Sequence, residues 1–462
     1  MDTLKNINSF INGIVWGPFM LCILLGVGIF YTFKLRFFQI RHFKLWWKKT
    51  FCSIFTQSNT TGGKNKLSPF RAMATALAGA IGTGNIVGVA GAISLGGAGA
   101  VFWMWVAAVF GMATIFAENV LGVRYREKRN GVFVGGPMYY IEKGLHCKWV
   151  AVIFAALCTL AALGMGNMTQ ANSVAGALKE GFGISPQISG IVIAAAAAFV
   201  IFGGIGRISA LTEKLVPFMA VLYIFAALIV LTVNYRRIPG AFAEIICGAF
   251  DFRCAAGGFM GYGMSRALKY GISRGVFSNE AGLGSSPIVH AAADTDDPYT
   301  QGMWGMFQVF VDTIVLCTLM ALCILTTGAD ISEPDSIKLS TEAFTSVLGN
   351  AGKIFISASI VLFAFATLVS WCYFGEKSVE YLSGGRFIVL YRVLYAAASY
   401  IGCIMSLSLV WEISDTLNGL MAVPNLAALI LLSSKIRYSE MSVACKKQKA
   451  SITKLTLPTT KK

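Results

Sequence analysis

Two short polar stretches interrupt runs that are otherwise apolar enough to span a membrane. Gly79-Ala80-Ile81-Gly82-Thr83-Gly84-Asn85 is the first, and Ser278-Asn279-Glu280-Ala281-Gly282-Leu283-Gly284-Ser285-Ser286 is the second. In hydrocarbon an unpaired backbone N–H or C=O costs several kcal/mol, so a helix breaks there only where protein or a water-filled cavity receives the freed groups. A half-helix N-terminus exposes N–H groups and a partial positive charge; a half-helix C-terminus exposes carbonyls. The first suits a carboxylate and the second suits Na⁺, so together the breaks fit a zwitterionic amino acid plus a cation. Broken helices at matching places in two halves of a chain are the mark of a secondary transporter. Glycines alone would indicate only tight helix packing, but Asn85, Ser278, Asn279 and Glu280 add polar and ionisable groups that are costly at membrane depth.

The elements that position these residues follow from composition. Hydrophobic residues make up 56% of the 462 and charged residues only 13%, which excludes an ordinary soluble globule. A spanning helix needs about 20 apolar residues, and eleven segments qualify: 10–33, 68–95, 99–125, 149–178, 185–204, 211–233, 256–290, 301–327, 351–375, 386–408 and 412–434. The start, Met1-Asp2-Thr3, lacks the basic region of a signal peptide, so the first segment reads as a retained helix.

Lysines and arginines cluster after the first segment (Lys34 to Lys66), after the third (Arg126 to Lys148) and in the tail beyond Lys435. The positive-inside rule makes these cytoplasmic and puts the N-terminus outside. Membrane orientation accounts for the net charge of +16 better than nucleic acid does, since no aromatic-basic recognition module is present. Arg266, Lys269 and Arg274 lie within about 140° on the seventh segment, either as snorkelling side chains or as a cationic vestibule.

Without the first segment, the remainder divides into two five-helix halves, each opened by a broken helix. An odd number of helices inverts the second copy relative to the first. The expected organisation is an N-terminal helix and basic loop (1–66), a first repeat (67–234), an external loop with a second repeat (235–435) and a basic tail (436–462). The fold class is an all-α integral membrane protein of about 11 transmembrane helices.

Other candidates are fewer. Asp312 falls roughly 17 Å into the eighth segment, near the midplane, where it is either a second cation or proton site or the partner of a polar neighbour. Glu118 reads as structural. His42, His146 and His290 are scattered, and the eleven cysteines show no zinc spacing, so no transition-metal site and no cofactor are expected. Cys247 and Cys254 share one loop and are either free or bonded.

Several stretches resemble the alanine or glycine:cation symporters: GTGNIVGVAGAISLGGAGAVFWMWVAAVFGMATIFAENVLGVRYRE at 82–127, GGPMYYIEKGL at 135–145 and SRGVFSNEAGLGSSPIVHAAA at 273–293. VDTIVLCTLMAL at 311–322 and FAFATLVSWCYFGEKSVEYL at 363–382 extend the likeness over nearly every core helix. The resemblance implies the leucine-transporter-type inverted-repeat fold, a small neutral amino acid as substrate, and Na⁺, or H⁺ in some relatives, as driving ion. It implies that Thr83, Gly84, Asn85, Phe277, Ser278 and Asn279 line the substrate site. Glu280 either caps freed N–H groups or acts on substrate or proton. On the fourth segment Asn167, Gln170 and Ser173 share a face by spacing, and Gln170 is the expected ligand contact. Thr367 and Ser370, with Thr83 and Asp312, are the candidate cation ligands, and Trp371 with Phe277 would limit the pocket to a small side chain.

Ala98, Ser286 and Val369-Ser370-Trp371-Cys372 depart from the family pattern, which leaves substrate size and ion ligation open. Alanine, glycine, their D-isomers and glutamine are not ranked, and oligomeric state is not set. Among other classes, a membrane enzyme would need a nucleophile and base that are not seen. A non-transporting amino-acid sensor fits poorly with a short basic tail. The expected setting is the plasma membrane of a prokaryotic cell, with the lipid bilayer, the amino acid and Na⁺ as partners.

Overall fold

The computed structural model describes residues 2–56, 67–129, 131–250, 260–405 and 407–438. Helices occupy all eleven expected segments. Among the described residues seven are long and apolar enough to cross a bilayer: Ile7–Lys34, Gly99–Arg124, Lys148–Phe182, Gly204–Val233, Pro298–Thr327, Asn350–Ser383 and Trp411–Leu431. Pro186–Ile201 and Ile388–Ile404 are apolar but shorter. The second segment is Pro69–Ala80 plus Val87–Gly96, and the seventh is Met260–Asn279 plus Ser286–His290.

Helix starts obey local chemistry. Ser68, Ser185 and Asp297 each accept a bond from a backbone N–H of the first turn, and each precedes a proline whose missing N–H costs nothing there. On the sixth segment Phe218, Val221 and Phe225 form an exposed stripe at helical spacing, the surface that hydrocarbon covers.

The broken segments lie inside the bundle. The seventh packs along the third, the second against the sixth, and the fourth against the ninth. Contact is close because residues are small: a Cβ on Gly271 would come within 2.4 Å of the Ala100 carbonyl oxygen.

Some boundaries differ from the sequence reading. The sixth segment begins at Gly204 instead of 211, although Arg207, Glu213 and Lys214 interrupt its apolar run; Glu213 pairs with Arg71 at 2.6 Å. The ninth continues to Ser383, past 375, because its charges are paired: Arg392 with Glu376 at 2.8 Å and Lys377 with Glu380 at 2.5 Å. Stretches read as loops contain the helices Pro137–Leu145, Ile238–Ala249 and Ser336–Leu348. A two-stranded ladder, Glu127–Arg129 against Val132–Val134, qualifies the all-α expectation. The Cys247–Cys254 pairing lies outside the described residues, as do Lys64, Lys66 and the tail from 439.

Candidate functional site

The first break is a single tight turn. Pro69–Ala80 stops, Thr83–Asn85 makes one three-residue helical turn, and Val87–Gly96 resumes. Asn85 holds it from both ends of its amide: Oδ1 accepts from the Gly82 N–H at 3.0 Å, and Nδ2 donates to Asp312 Oδ1 at 2.6 Å. Glycine is required by close approach. A Cβ on Gly82 would lie 2.4 Å from Thr367 Oγ1, and one on Gly84 would lie 3.1 Å from Ser278 Cα. The turn is thus pressed against both the ninth segment and the second break.

The second break is built on left-handed backbone, with φ of 61° at Glu280, 93° at Gly282 and 83° at Gly284. Its freed groups find side-chain partners. Asn279 Oδ1 accepts from Ala281 N at 3.0 Å, Glu118 Oε1 accepts from Gly284 N at 3.1 Å, and Asn425 Nδ2 donates to the Gly282 carbonyl at 2.9 Å. Asn425 also donates to Glu118 and accepts from the Tyr140 hydroxyl. Glu118, read from the sequence as structural, is a fully buried acceptor inside the bundle. Glu280 accepts from side chains, Ser285 Oγ at 2.5 Å and Trp371 Nε1 at 2.7 Å, and so ties the break to the ninth segment.

Asp312 joins the two breaks. It sits in a wide π-helical stretch, Phe310–Cys317, of a kind that re-aims side chains at functional positions. Its carboxylate accepts from Asn85 of the first break, from Ser278 Oγ of the second at 2.9 Å, and from Thr313 Oγ1 at 2.8 Å. Asn279 Nδ2 extends the network to Thr313 at 3.2 Å. Asp312 is fully buried, and among the described residues no Lys or Arg pairs with it.

A second oxygen-rich spot lies between the first break and the ninth segment. Thr367 Oγ1 is 2.9 Å from the Ala78 carbonyl, 3.1 Å from that of Ile81 and 3.1 Å from that of Phe363. One hydroxyl proton serves only one of these oxygens. Ser370 Oγ and Thr83 Oγ1 are buried with no protein partner among the described residues. Carbonyl and hydroxyl oxygens are the ligands a hard cation takes.

Gln170 reaches the first break, its Oε1 accepting from Thr83 N at 3.2 Å while Nε2 donates to the Met165 carbonyl at 3.1 Å. Asn167 and Ser173 do not share that role. A π turn at Gly164–Met168 rotates Asn167 toward the tenth segment, where it donates to the Tyr395 carbonyl, and Ser173 bonds Thr169 of its own helix. Phe277 stacks on Trp411 at 5.0 Å, whereas Trp371 packs on Phe374 and points to Glu280.

Above the Phe277–Trp411 pair, Arg274 bonds Asp415 at 3.1 Å with its guanidinium 4.9 Å from the Trp411 ring. Arg274 and Trp411 line a cavity of about 550 Å³ together with Val87, Gly91, Leu95 and Asp335. At the other end the broken segments are fastened together. Asp294 N donates to the Leu67 carbonyl at 2.7 Å, and Arg126 donates to the carbonyls of Ala291, Ala293 and Thr295.

Two interrupted helices are thus bridged by one carboxylate, and the model of the sodium:alanine symporter family matches residues 1–455. The chain belongs to that family. A protein described as the sodium/alanine symporter AgcS of Methanococcus maripaludis is 46% identical over 94% of this chain and 96% of its own. One described as the probable sodium/glutamine symporter GlnT of Bacillus subtilis is 38% identical over 97% of this chain and 92% of its own. The crystal structure of MhsT in complex with L-phenylalanine superposes with a TM-score of 0.60, at 16% identity, over 80% of this chain and 90% of that one. The fold is therefore of the leucine-transporter type, and this family member is a membrane transporter and not an enzyme.

Its sequence alone did not point to Asn425, Trp411 or Asp415. The signal was available in the spacing: positions 411, 415, 418 and 425 lie on one side of the last helix.

Proposed function

We propose that the protein imports a small neutral amino acid, alanine or glycine, by symport with Na⁺ through alternating access in the plasma membrane. In this reading eleven segments cross the bilayer, with the N-terminus outside and the C-terminus cytoplasmic. Residues 67–234 and 235–435 are inverted five-helix repeats, flanked by the segment 1–66 and the tail 436–462. The matched breaks and the basic loops support it.

The observation that carries the reading is the seat of the Thr367 hydroxyl among the Ala78 and Ile81 carbonyls, with the unpartnered Ser370 hydroxyl on the same helix. There Na⁺ takes oxygens from the first break and from the ninth segment. Thr83, Gly84 and Asn85, with Gln170, Phe277, Ser278 and Asn279, receive the amino acid, and Trp371 supplies a wall. Asp312, an acceptor shared by both breaks, is a second cation or proton position. Coupling needs ion and substrate to favour particular conformations, since equal affinity for every state shifts nothing. A cation held by the first break and the ninth segment favours the arrangement in which the amino acid fits.

The test is uptake of labelled L-alanine into proteoliposomes with an inward Na⁺ gradient, an equal K⁺ control and a protonophore, with glycine, D-alanine and glutamine as competitors. Uptake that needs Na⁺ and ignores the protonophore supports the proposal. Uptake abolished by the protonophore indicates H⁺, and strong competition by glutamine assigns a larger substrate. No alanine uptake with either ion, in sealed vesicles of folded protein, refutes alanine symport in favour of another amino acid or a sensor.

A further inference from the structure

The last helix, Leu407–Leu431, turns one face toward the second break. Trp411 on that face stacks on Phe277, Asp415 pairs with Arg274, and Asn425 donates to the Gly282 carbonyl. Asn418 is seven residues from both Trp411 and Asn425, two turns or about 10.5 Å in each direction. Spacings of three, four and seven residues share a side, so Asn418 faces the stretch between Phe277 and Gly282, where the seventh segment is broken.

Of the polar side chains near it on this helix, Asn425 is bonded on both ends of its amide, while the Trp411 Nε1 is buried without a partner among the described residues. Ser414 accepts from the Thr169 hydroxyl at 2.7 Å, beside Gln170. Asn418 is fully buried and leaves a whole amide open: neither Nδ2 nor Oδ1 has a partner among the described residues. Buried polar groups without partners are rare because each forfeits its hydration, and a specific exception calls for a reason. An amide offers a donor and an acceptor side by side, which complements the carboxylate and ammonium of an α-amino acid.

We propose that Asn418 is a substrate-binding residue, its Nδ2 donating to the carboxylate and its Oδ1 accepting from the ammonium group of the amino acid seated against the second break. This rests on the amino-acid reading of the site and extends it to a helix outside the two breaks. The rival account is an ordered water that uses the same two groups.

The experiment is a titration of thermal stability with L-alanine in saturating Na⁺, on full-length purified protein, comparing wild type with Asn418→Leu and Asn418→Asp. Leucine keeps the γ-branched, four-heavy-atom outline of asparagine and removes two unpaired polar groups, so the ligand-free protein should still fold and melt cooperatively. Alanine affinity should fall at least tenfold. Aspartate keeps the shape but loses the donor and sets a negative charge near the carboxylate, and it should also lose at least tenfold. Wild-type alanine affinity in either folded variant overturns the inference and leaves the water. Should Asn418→Leu melt early, the isosteric Asn418→Asp decides alone. A wild type stabilised by none of alanine, glycine, serine or glutamine refutes the amino-acid reading itself, and the inference falls with it.

Discussion

Replacing Thr367 by valine tests the cation site most directly. The change swaps a hydroxyl for a methyl group of nearly the same shape, 2.9 and 3.1 Å from the carbonyls released by the first break. One oxygen leaves the cation's surroundings while Ala78 and Ile81 remain in place. Hydrogen bonds to charged groups contribute about 1.5–3 kcal/mol, and taking a lost Na⁺–oxygen contact as similar gives about a 10- to 100-fold loss of affinity. The expected result is a rise of that size in the Na⁺ concentration for half-maximal alanine uptake. Maximum rate at saturating Na⁺ should change far less, and Thr367→Ser should stay within about threefold of wild type, since it keeps the oxygen. Proteoliposome uptake across a Na⁺ series, normalised to protein inserted, is the assay. A wild-type Na⁺ dependence in Thr367→Val would refute the reasoning, because the hydroxyl would then serve only to tie two helices.

Asp312→Asn should cut uptake at least tenfold at equal abundance. Its folded state should lose no more than about 1 kcal/mol, since removing a buried charge offsets the altered hydrogen bonds; thermal melts beside uptake check both halves, and undiminished transport speaks against a role in coupling. Gly166→Ala places a Cβ 2.3 Å from Trp371 Cβ, a contact too near the backbone to yield by rotation. Overpacking of about 1–3 kcal/mol should lower the melting temperature, and loss of the Trp371–Glu280 bond should abolish uptake. Gly84→Ala puts a Cβ 3.1 Å from Ser278 Cα, spreading the two breaks by a few tenths of an ångström. It should raise the alanine KM about tenfold, as expected for small misplacements in a tight site, with the protein still folded; an unchanged KM would mean that the amino acid does not depend on that approach.

The two breaks were legible because their cause is local. Glycine, asparagine and serine inside an apolar run cannot sit in hydrocarbon without a reason, so Thr83–Asn85 and Ser278–Glu280 declared themselves by type and place alone. The same logic found Asp312, but not what it bonds. Boundaries that rest on paired charges were missed: Glu376 reads as the end of a span until Arg392 is seen beside it. Asn167 and Gln170 share a face in an ideal helix, yet a π turn separates their partners.

The partners of the second break lay furthest from reach. Glu118 and Asn425 are 307 residues apart in the chain and meet within one hydrogen bond, and Asn418 gains meaning only from what surrounds it. The sequence by itself determined where the backbone leaves the helix, because the cost of an unpaired N–H is paid residue by residue. Only the tertiary structure decided which side chains receive those groups, because a hydrogen bond acts over about 3 Å and nothing in a linear order says which distant positions folding will bring that close.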